Sequence, residues 1–205
     1  ERSRGLGDVY KRQIIYTDDL GYGDVSAYKK GTLKTPNIDK LANEGIRFNY
    51  GYASSATCSP SRYALLTGNY PWRKDGLRVI TGGSLVIDTT EMTIPKLLKT
   101  KGYQTGIVGK WHLGDSIEPK CGFDRWNPMP YGGTNYYNVP IVEDGCLQNH
   151  KSYASEIFTN KALKFLEDQE EEERPFGLSL HYTAPHAPWG REHHPLPLWD
   201  DYHHN

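Results

Sequence analysis

The chain has 205 residues, 37 % of them hydrophobic, and a net charge of −1. That length and apolar content permit one domain with a sizeable core, while the near-neutral charge argues against a nucleic-acid surface or a polybasic membrane anchor. No apolar run approaches the roughly 18 residues that span a bilayer, and three cysteines do not make a disulfide framework, although one Cys121–Cys146 bridge stays open.

Residues 1–13 carry no initiating methionine, apolar stretch or signal-peptide pattern. Asp8-Val9-Tyr10-Lys11-Arg12-Gln13 resembles the translation of a transposon end used in sequencing-library preparation. The expectation is a non-native leader over 1–13, joined near Ile14 to a native reading frame. A disordered natural terminus is the alternative. The other end, His203-His204-Asn205, stops in a loop-like stretch, so the chain reads as a fragment.

Ile14 to Thr17 is apolar and β-branched, the pattern of a buried strand. It delivers Asp18-Asp19 and the glycine-rich Leu20-Gly21-Tyr22-Gly23-Asp24. Adjacent carboxylates repel, and hard oxygen ligands suit Ca²⁺ or Mg²⁺; a solvated turn is the plainer reading of the pair alone. Asn37 is expected to cap a helix with Ile38, Leu41 and Ala42 on one face and Gly45 at its end. Ile46 to Tyr50 alternates like a strand.

Cys58-Ser59-Pro60-Ser61-Arg62 follows, running into Tyr63-Ala64-Leu65-Leu66-Thr67-Gly68. Proline favours the first turn of a helix, so Cys58 is placed at a helix N-terminus, where backbone N–H groups and the dipole favour anions. Arg62 adds a fork of donors suited to sulfate or phosphate. A lone cysteine is more often a buried small hydrophobe, but here proline, arginine and leucines arrive together.

Gly82-Gly83 marks a turn. Thr93 is expected to cap a helix with Ile94, Leu97 and Leu98, ending by Gly102 and tolerating Pro95 in its first turn. Tyr103 to Val108 reads as a strand delivering Gly109-Lys110-Trp111-His112-Leu113-Gly114. If that stretch is extended, Lys110 and His112 share a face. From Cys121 to His150 the pattern is loop-like. Tyr131, Asn135, Tyr136 and Tyr137 suit either sugar contact or loop packing, and packing is favoured. A helix is expected from Ser152 or Ser155 to about Glu167, with Glu170 to Glu173 as its solvated end. A strand from Phe176 to Tyr182 leads into Thr183-Ala184-Pro185-His186-Ala187-Pro188-Trp189. His181 is read as structural, and His193, His194, His203 and His204 as loop residues without zinc-ligand context.

Four of these segments together resemble the sulfatase family: Asp18-Asp19 with its glycine-rich turn, Cys58 to Gly68 (Cys-x-Pro-x-Arg with Leu-Leu-Thr-Gly), Gly109 to Gly114, and Ala184 to Pro188. Thr35 to Phe48 matches as scaffold. The resemblance covers Ile14 to about Trp189. It implies an α/β fold of alkaline-phosphatase type, with a large mixed, mainly parallel sheet between helices, of which residues 14–205 are the N-terminal part and the C-terminal part is absent. Strand–helix alternation points to the same layered class.

The resemblance further implies hydrolysis of sulfate esters of a carbohydrate or aryl alcohol. Cys58 would be oxidised by a maturation enzyme to formylglycine, the nucleophile. A divalent cation, Ca²⁺ with Mg²⁺ as the alternative, would be held by Asp18, Asp19 and the Cys58-derived side chain. Arg62 would stabilise the formylglycine hydroxyl, Lys110 bind sulfate and leaving-group oxygens, His186 protonate the leaving alcohol, and His112 accept the proton whose loss expels sulfate. Relatives take a second ligand pair and another lysine from a later segment this chain lacks. Phosphonate or phosphodiester hydrolases of the same superfamily are the rival enzyme reading, and an inactive sulfated-glycan-binding fragment the rival non-enzyme. A periplasmic, extracellular or lysosomal-type location is expected from the family alone.

Overall fold

The computed structural model describes residues 11–29, 33–115, 117–172, 174–190 and 192–193. Along the chain run β1 (Lys11–Tyr16), α1 (Pro36–Glu44), α2 (Cys58–Thr67), α3 (Ile94–Lys99), β2 (Gln104–Lys110), β3 (Arg125–Met129), β4 (Val139–Glu143), β5 (Cys146–His150), α4 (Ala154–Glu172) and β6 (Phe176–His181). Two compact units divide the chain: residues 19–53, and the remainder. The readings for residues 1–10 and for His194, His203 and His204 lie outside the described residues.

The larger unit is built on a four-stranded sheet in the order β1-β6-β2-β3, parallel throughout. Parallel strands covered on both faces read as unbroken apolar runs, and β6 is buried at every position and β2 at all but its first. The β1 edge is largely exposed and pairs Lys11, Arg12 and Gln13 with Phe176, Gly177 and Leu178, so three residues of the expected leader are strand.

Side-chain alternation splits the core. Val108, Leu178 and Leu180 pack with Ile157, Phe158, Ala162 and Phe165 of α4. Ile107 and Trp126 face the other way, with Tyr63 and Leu66 of α2, Trp111, Leu113 and Phe123. The sheet therefore lies between helical layers. The Thr93 side chain caps α3 by accepting from the Lys96 N–H, as its sequence predicts. No helix among the described residues is long and apolar enough to cross a membrane.

The loop-like stretch after Cys121 is a correction. It holds β3 and an antiparallel β4–β5 hairpin closed by Asp144-Gly145, both at positive φ (49° and 72°). Asp-Gly between alternating residues is a strong two-residue hairpin signal. Cys121 is buried, Cys146 exposed and both are free, so they form no bridge. Tyr136 is fully buried and stacks on Tyr153 with centroids 5.6 Å apart, in keeping with packing.

Within the smaller unit the helix cap is Thr35 rather than Asn37. Pro36 takes the first helical position, where its missing N–H costs nothing. Ser26 Oγ donates to the Asp39 carboxylate at 2.7 Å and the Ser26 N–H donates to Thr35 Oγ1 at 3.0 Å, tying the preceding loop to the first turn. The strand expected at 46–50 is irregular backbone leading to a turn. Alternation makes a strand only where a partner takes its backbone groups, and no strand pairs with it among the described residues.

Candidate active site

The C-terminal ends of β1, β2 and β6 meet the N-terminus of α2, the edge where open α/β sheets place their chemistry. Cys58 is the first residue of α2, behind an extended Thr57 cap. Pro60 falls in the first turn, and Gly68 closes the helix at φ 70°, its N–H donating to the Ala64 carbonyl at 2.9 Å. The proline and the glycine thus set the helix bounds that aim Cys58 and Arg62 at the sheet edge.

Among the described residues, five ionisable side chains are taken out of solvent there: Asp18 (6 % exposed), Arg62 (1 %), Lys110 (0 %), His112 (5 %) and His181 (1 %). Arg62 Nη1 donates to the Lys110 carbonyl at 2.7 Å, Nη2 lies 3.6 Å from Asp18 Oδ1, and the guanidinium carbon sits 5.3 Å from the Tyr16 ring centroid. Lys110 Nζ pairs with Asp18 Oδ2 and lies 3.5 Å from Cys58 Sγ, which is itself 3.9 Å from Asp18 Oδ1. Two cations share one carboxylate, so a positive charge is left over in a buried place. Arg62 Nε and Nη2 make no hydrogen bond among the described residues. Burial lowers the Arg62 pKa, opposed chiefly by the Asp18 charge. Buried donors and surplus charge both call for an anion.

Gly109 sets up this corner. It has φ 98°, and a Cβ there would run into the His181 carbonyl of the neighbouring strand. Only glycine lets β2 approach β6 so closely while Lys110 turns toward Asp18.

His112 is not where an extended segment would put it. Strand β2 ends at Lys110, and His112 has φ 52°. The two side chains therefore do not share a strand face, because the backbone turns left-handed at His112 itself, whose N–H donates to the Pro130 carbonyl at 3.2 Å. His112 Nε2 lies 2.6 Å from the Ile80 carbonyl and so carries the proton, while Nδ1 is buried without a hydrogen-bond partner among the described residues. Its pKa is lowered, first by burial and then by the nearby Lys110 and Arg62 charges, the Ile80 hydrogen bond opposing. The ring is neutral at neutral pH, with a lone pair on Nδ1.

His186 reaches the same place from the loop after β6. One ring nitrogen, a carboxylate oxygen of Asp18 and Cys58 Sγ lie within 4.8 Å of one another. His186 Nδ1 donates to the Ala187 carbonyl at 2.6 Å, and the Tyr136 hydroxyl donates to the His186 carbonyl at 2.6 Å. Asp19, the first residue of the smaller unit, has φ 64° and an exposed side chain.

Of the Asp18, Cys58 and His186 donors that converge here, the Asp18 carboxylate is the hard oxygen ligand suited to a divalent cation such as Ca²⁺ or Mg²⁺. Tyr16 and His181 are not legible as site residues from the sequence, while Tyr136, weighed there for sugar contact and favoured as packing, touches the site only through its hydroxyl on the His186 carbonyl. His181 carried one cue, its place opposite Leu178 and Leu180 on β6, and its burial here is what makes it part of the site. His193 lies in a turn.

A profile of the sulfatase family matches residues 14–200. Over 178 residues the chain is 39 % identical to the N-acetylglucosamine-6-O-sulfatase of Bacteroides thetaiotaomicron, covering 86 % of this chain and 30 % of that protein. Over 111 residues it is 51 % identical to the N-acetylgalactosamine-6-O-sulfatase of the same organism, covering 54 % and 21 %. A structure solved in complex with its substrate D-glucosamine-2-N,6-O-disulfate superposes with a TM-score of 0.75 at 37 % identity, covering 87 % of this chain and 35 % of that one. The structure of Ps i-CgsB with k-i-k-neocarrahexaose gives 0.80 at 33 % identity, covering 87 % and 46 %. The chain thus spans 30 % and 21 % of the length of these two curated relatives and less than half of these solved chains.

Proposed function

The chain belongs to the sulfatase family, and we propose that it supplies the nucleophile side of a catalytic centre that hydrolyses carbohydrate sulfate esters to inorganic sulfate. One observation carries the reading: Arg62 and Lys110, both buried, surround the single Asp18 carboxylate at the Cys58 helix start. That surplus positive charge suits a sulfate group. Relatives named for amino-sugar 6-sulfates, and a neighbour bound to a glucosamine disulfate, support a sugar as the alcohol half.

We assign Asp18, Asp19 and the Cys58-derived side chain as holders of a divalent cation, Ca²⁺ with Mg²⁺ as the alternative, since both are hard cations that take oxygen ligands. When bound, the cation supplies Lewis acidity and a template for a sulfate oxygen. Conversion of Cys58 to formylglycine by a maturation enzyme supplies a hydrated aldehyde as nucleophile toward sulfur.

This chain's own residues do the rest. Arg62 offers Nε and Nη2 to the oxygens at position 58, and Lys110 Nζ pairs with the sulfate and the leaving oxygen. His186 holds one proton on Nδ1 against the Ala187 carbonyl, so the proton given to the leaving alcohol sits on Nε2. A nitrogen cannot carry that proton and bind a metal together, which leaves the cation to the oxygens. His112 takes a proton from the position-58 side chain at Nδ1, the buried lone pair that its hydrogen bond to Ile80 leaves over.

The test uses the protein that carries this chain, co-expressed with a maturation enzyme. Mass analysis of a peptide spanning Cys58 should show the aldehyde. Matched aryl sulfate and aryl phosphate or phosphonate esters should show a sulfate preference. A phosphorus preference points to the phosphonate or phosphodiester hydrolases, and an unmodified thiol with no turnover points to a glycan-binding protein.

A further inference from the structure

His181 takes no part in the proton and charge transfers above, yet it is 1 % exposed at the C-terminal end of β6. Its Nδ1 lies 3.3 Å from Arg62 Nη1 and 3.2 Å from the Lys110 carbonyl, the oxygen that accepts from that same Nη1 at 2.7 Å. Its ring stands 5.5 Å from the Tyr16 ring, which also faces the guanidinium. Nε2 has no hydrogen-bond partner among the described residues. A buried imidazole with an unpaired nitrogen is costly unless its other nitrogen does something a hydrocarbon cannot.

What Nδ1 does, in the tautomer whose proton sits on Nε2, is accept from Arg62 Nη1, so that the Lys110 carbonyl and the imidazole lone pair both take up donors of one guanidinium nitrogen. Arg62 Nη1, the Lys110 carbonyl and His181 Nδ1 all lie within 3.3 Å of one another. The contact occupies one terminal nitrogen of the guanidinium and pins the plane of the group. A planar fork fixed at one end has only one orientation for the rest, and Nη2 and Nε, the two donors without hydrogen bonds, stay on the Asp18 side. We propose that His181 is a positioning residue: it holds Arg62 by Nη1 so that Nε and Nη2 point at the oxygens of the reacting group. In its catalytic consequence the inference rests on the sulfate-ester reading; the fixing of Arg62 does not.

The test compares His181→Leu, His181→Asn and His181→Gln in the protein that carries this chain. Asparagine places an amide near the Nδ1 position, glutamine near Nε2, and leucine fills space without polarity. Two readouts are taken: kcat and KM on an aryl sulfate, and the exchange protection of the Arg62 Nε–H by NMR with selectively ¹⁵N-labelled arginine. A positioning role predicts that leucine lowers kcat about 10- to 100-fold, the usual cost of losing an orienting partner, with little change in KM and faster Nε–H exchange. Asparagine should restore most of both. Leucine behaving as wild type on both readouts overturns the proposal, as does a loss of thermal stability alone. If the leucine variant does not fold, the amides decide: asparagine must surpass glutamine on both readouts, and equality or the reverse order overturns it. A wild-type protein inert toward aryl sulfates sinks the hydrolase reading alone, since Arg62 protection still decides the role of His181.

Discussion

Arg62 and Asp18 face each other at 3.6 Å, both out of solvent, and Lys110 closes on the same carboxylate from its other oxygen. One anion thus holds two buried cations. Asp18→Asn keeps the shape and removes the charge, leaving both cations without a counter-ion. Breaking a buried pair this way costs on the order of 3–5 kcal/mol. Denaturant unfolding at neutral pH should show that loss, and inorganic sulfate should recover part of it by supplying negative charge. Wild-type stability in the variant would mean that the pairing does not carry weight.

His181 gives the fold a pH dependence. Burial first, and the Arg62 charge second, push its pKa down to about 3 from an ordinary 6.5. Between those values the unfolded chain binds a proton that the folded chain refuses, so stability rises with pH across the window. The contribution is whole above pH 6.5 and is lost as pH falls toward 3. Going from pH 7 to pH 5 should cost about 2 kcal/mol from this group. His181→Asn, with no ring to titrate, should flatten the profile over that interval.

Thiol labelling should separate the two cysteines outside the centre. Burial raises the Cys121 pKa to about 11, and the residue is enclosed by Phe123 and Trp126. Cys146 is exposed on β5. At mildly alkaline pH a maleimide or disulfide reagent should modify Cys146 quickly and Cys121 only on unfolding. Mass analysis after oxidation should show no Cys121–Cys146 linkage.

Gly109→Ala should damage fold and site together. The position is left-handed, and a methyl group would overlap the His181 carbonyl. Strain and overlap each cost about 1–3 kcal/mol, so a loss on the order of 3 kcal/mol is expected by denaturant titration. Because the displaced strand carries Lys110, kcat should fall further than the folded fraction does.

Motif chemistry made the centre legible, while backbone turns did not announce themselves. Cys58, Arg62, Lys110 and Asp18 meet as their segments imply, because strand ends and a helix start have few ways to be arranged around a parallel sheet. The shared face that an extended Lys110–His112 segment would give is not formed: period-2 reasoning holds only while φ stays negative, and His112 is left-handed. The hairpin closed by Asp144-Gly145 has its one sequence cue in that turn dipeptide, inside a stretch whose proline, tyrosine and asparagine content otherwise reads as loop. Ile46 to Tyr50 failed the other way, since an alternating pattern says nothing about whether a partner strand exists. The contact of His181 with Arg62 could not be assigned from order along the chain, because the two residues lie 119 apart.

The exposed position of β1 has a consequence for how the centre opens. Asp18 and Tyr16 ride on or just after this strand, which among the described residues has one strand neighbour and a largely wet surface. Lys110, His181 and Arg62 are anchored in β2, β6 and α2, all deeply enclosed. Partial openings start where enclosure is least. Amide exchange should therefore sort the centre into two tiers, with Ile14 to Tyr16 giving up protection at lower free energy than Ile107 to Lys110 or Leu178 to His181. Each such excursion withdraws the carboxylate and leaves the cations standing, so the centre fluctuates toward greater hunger for an anion without the molecule as a whole unfolding.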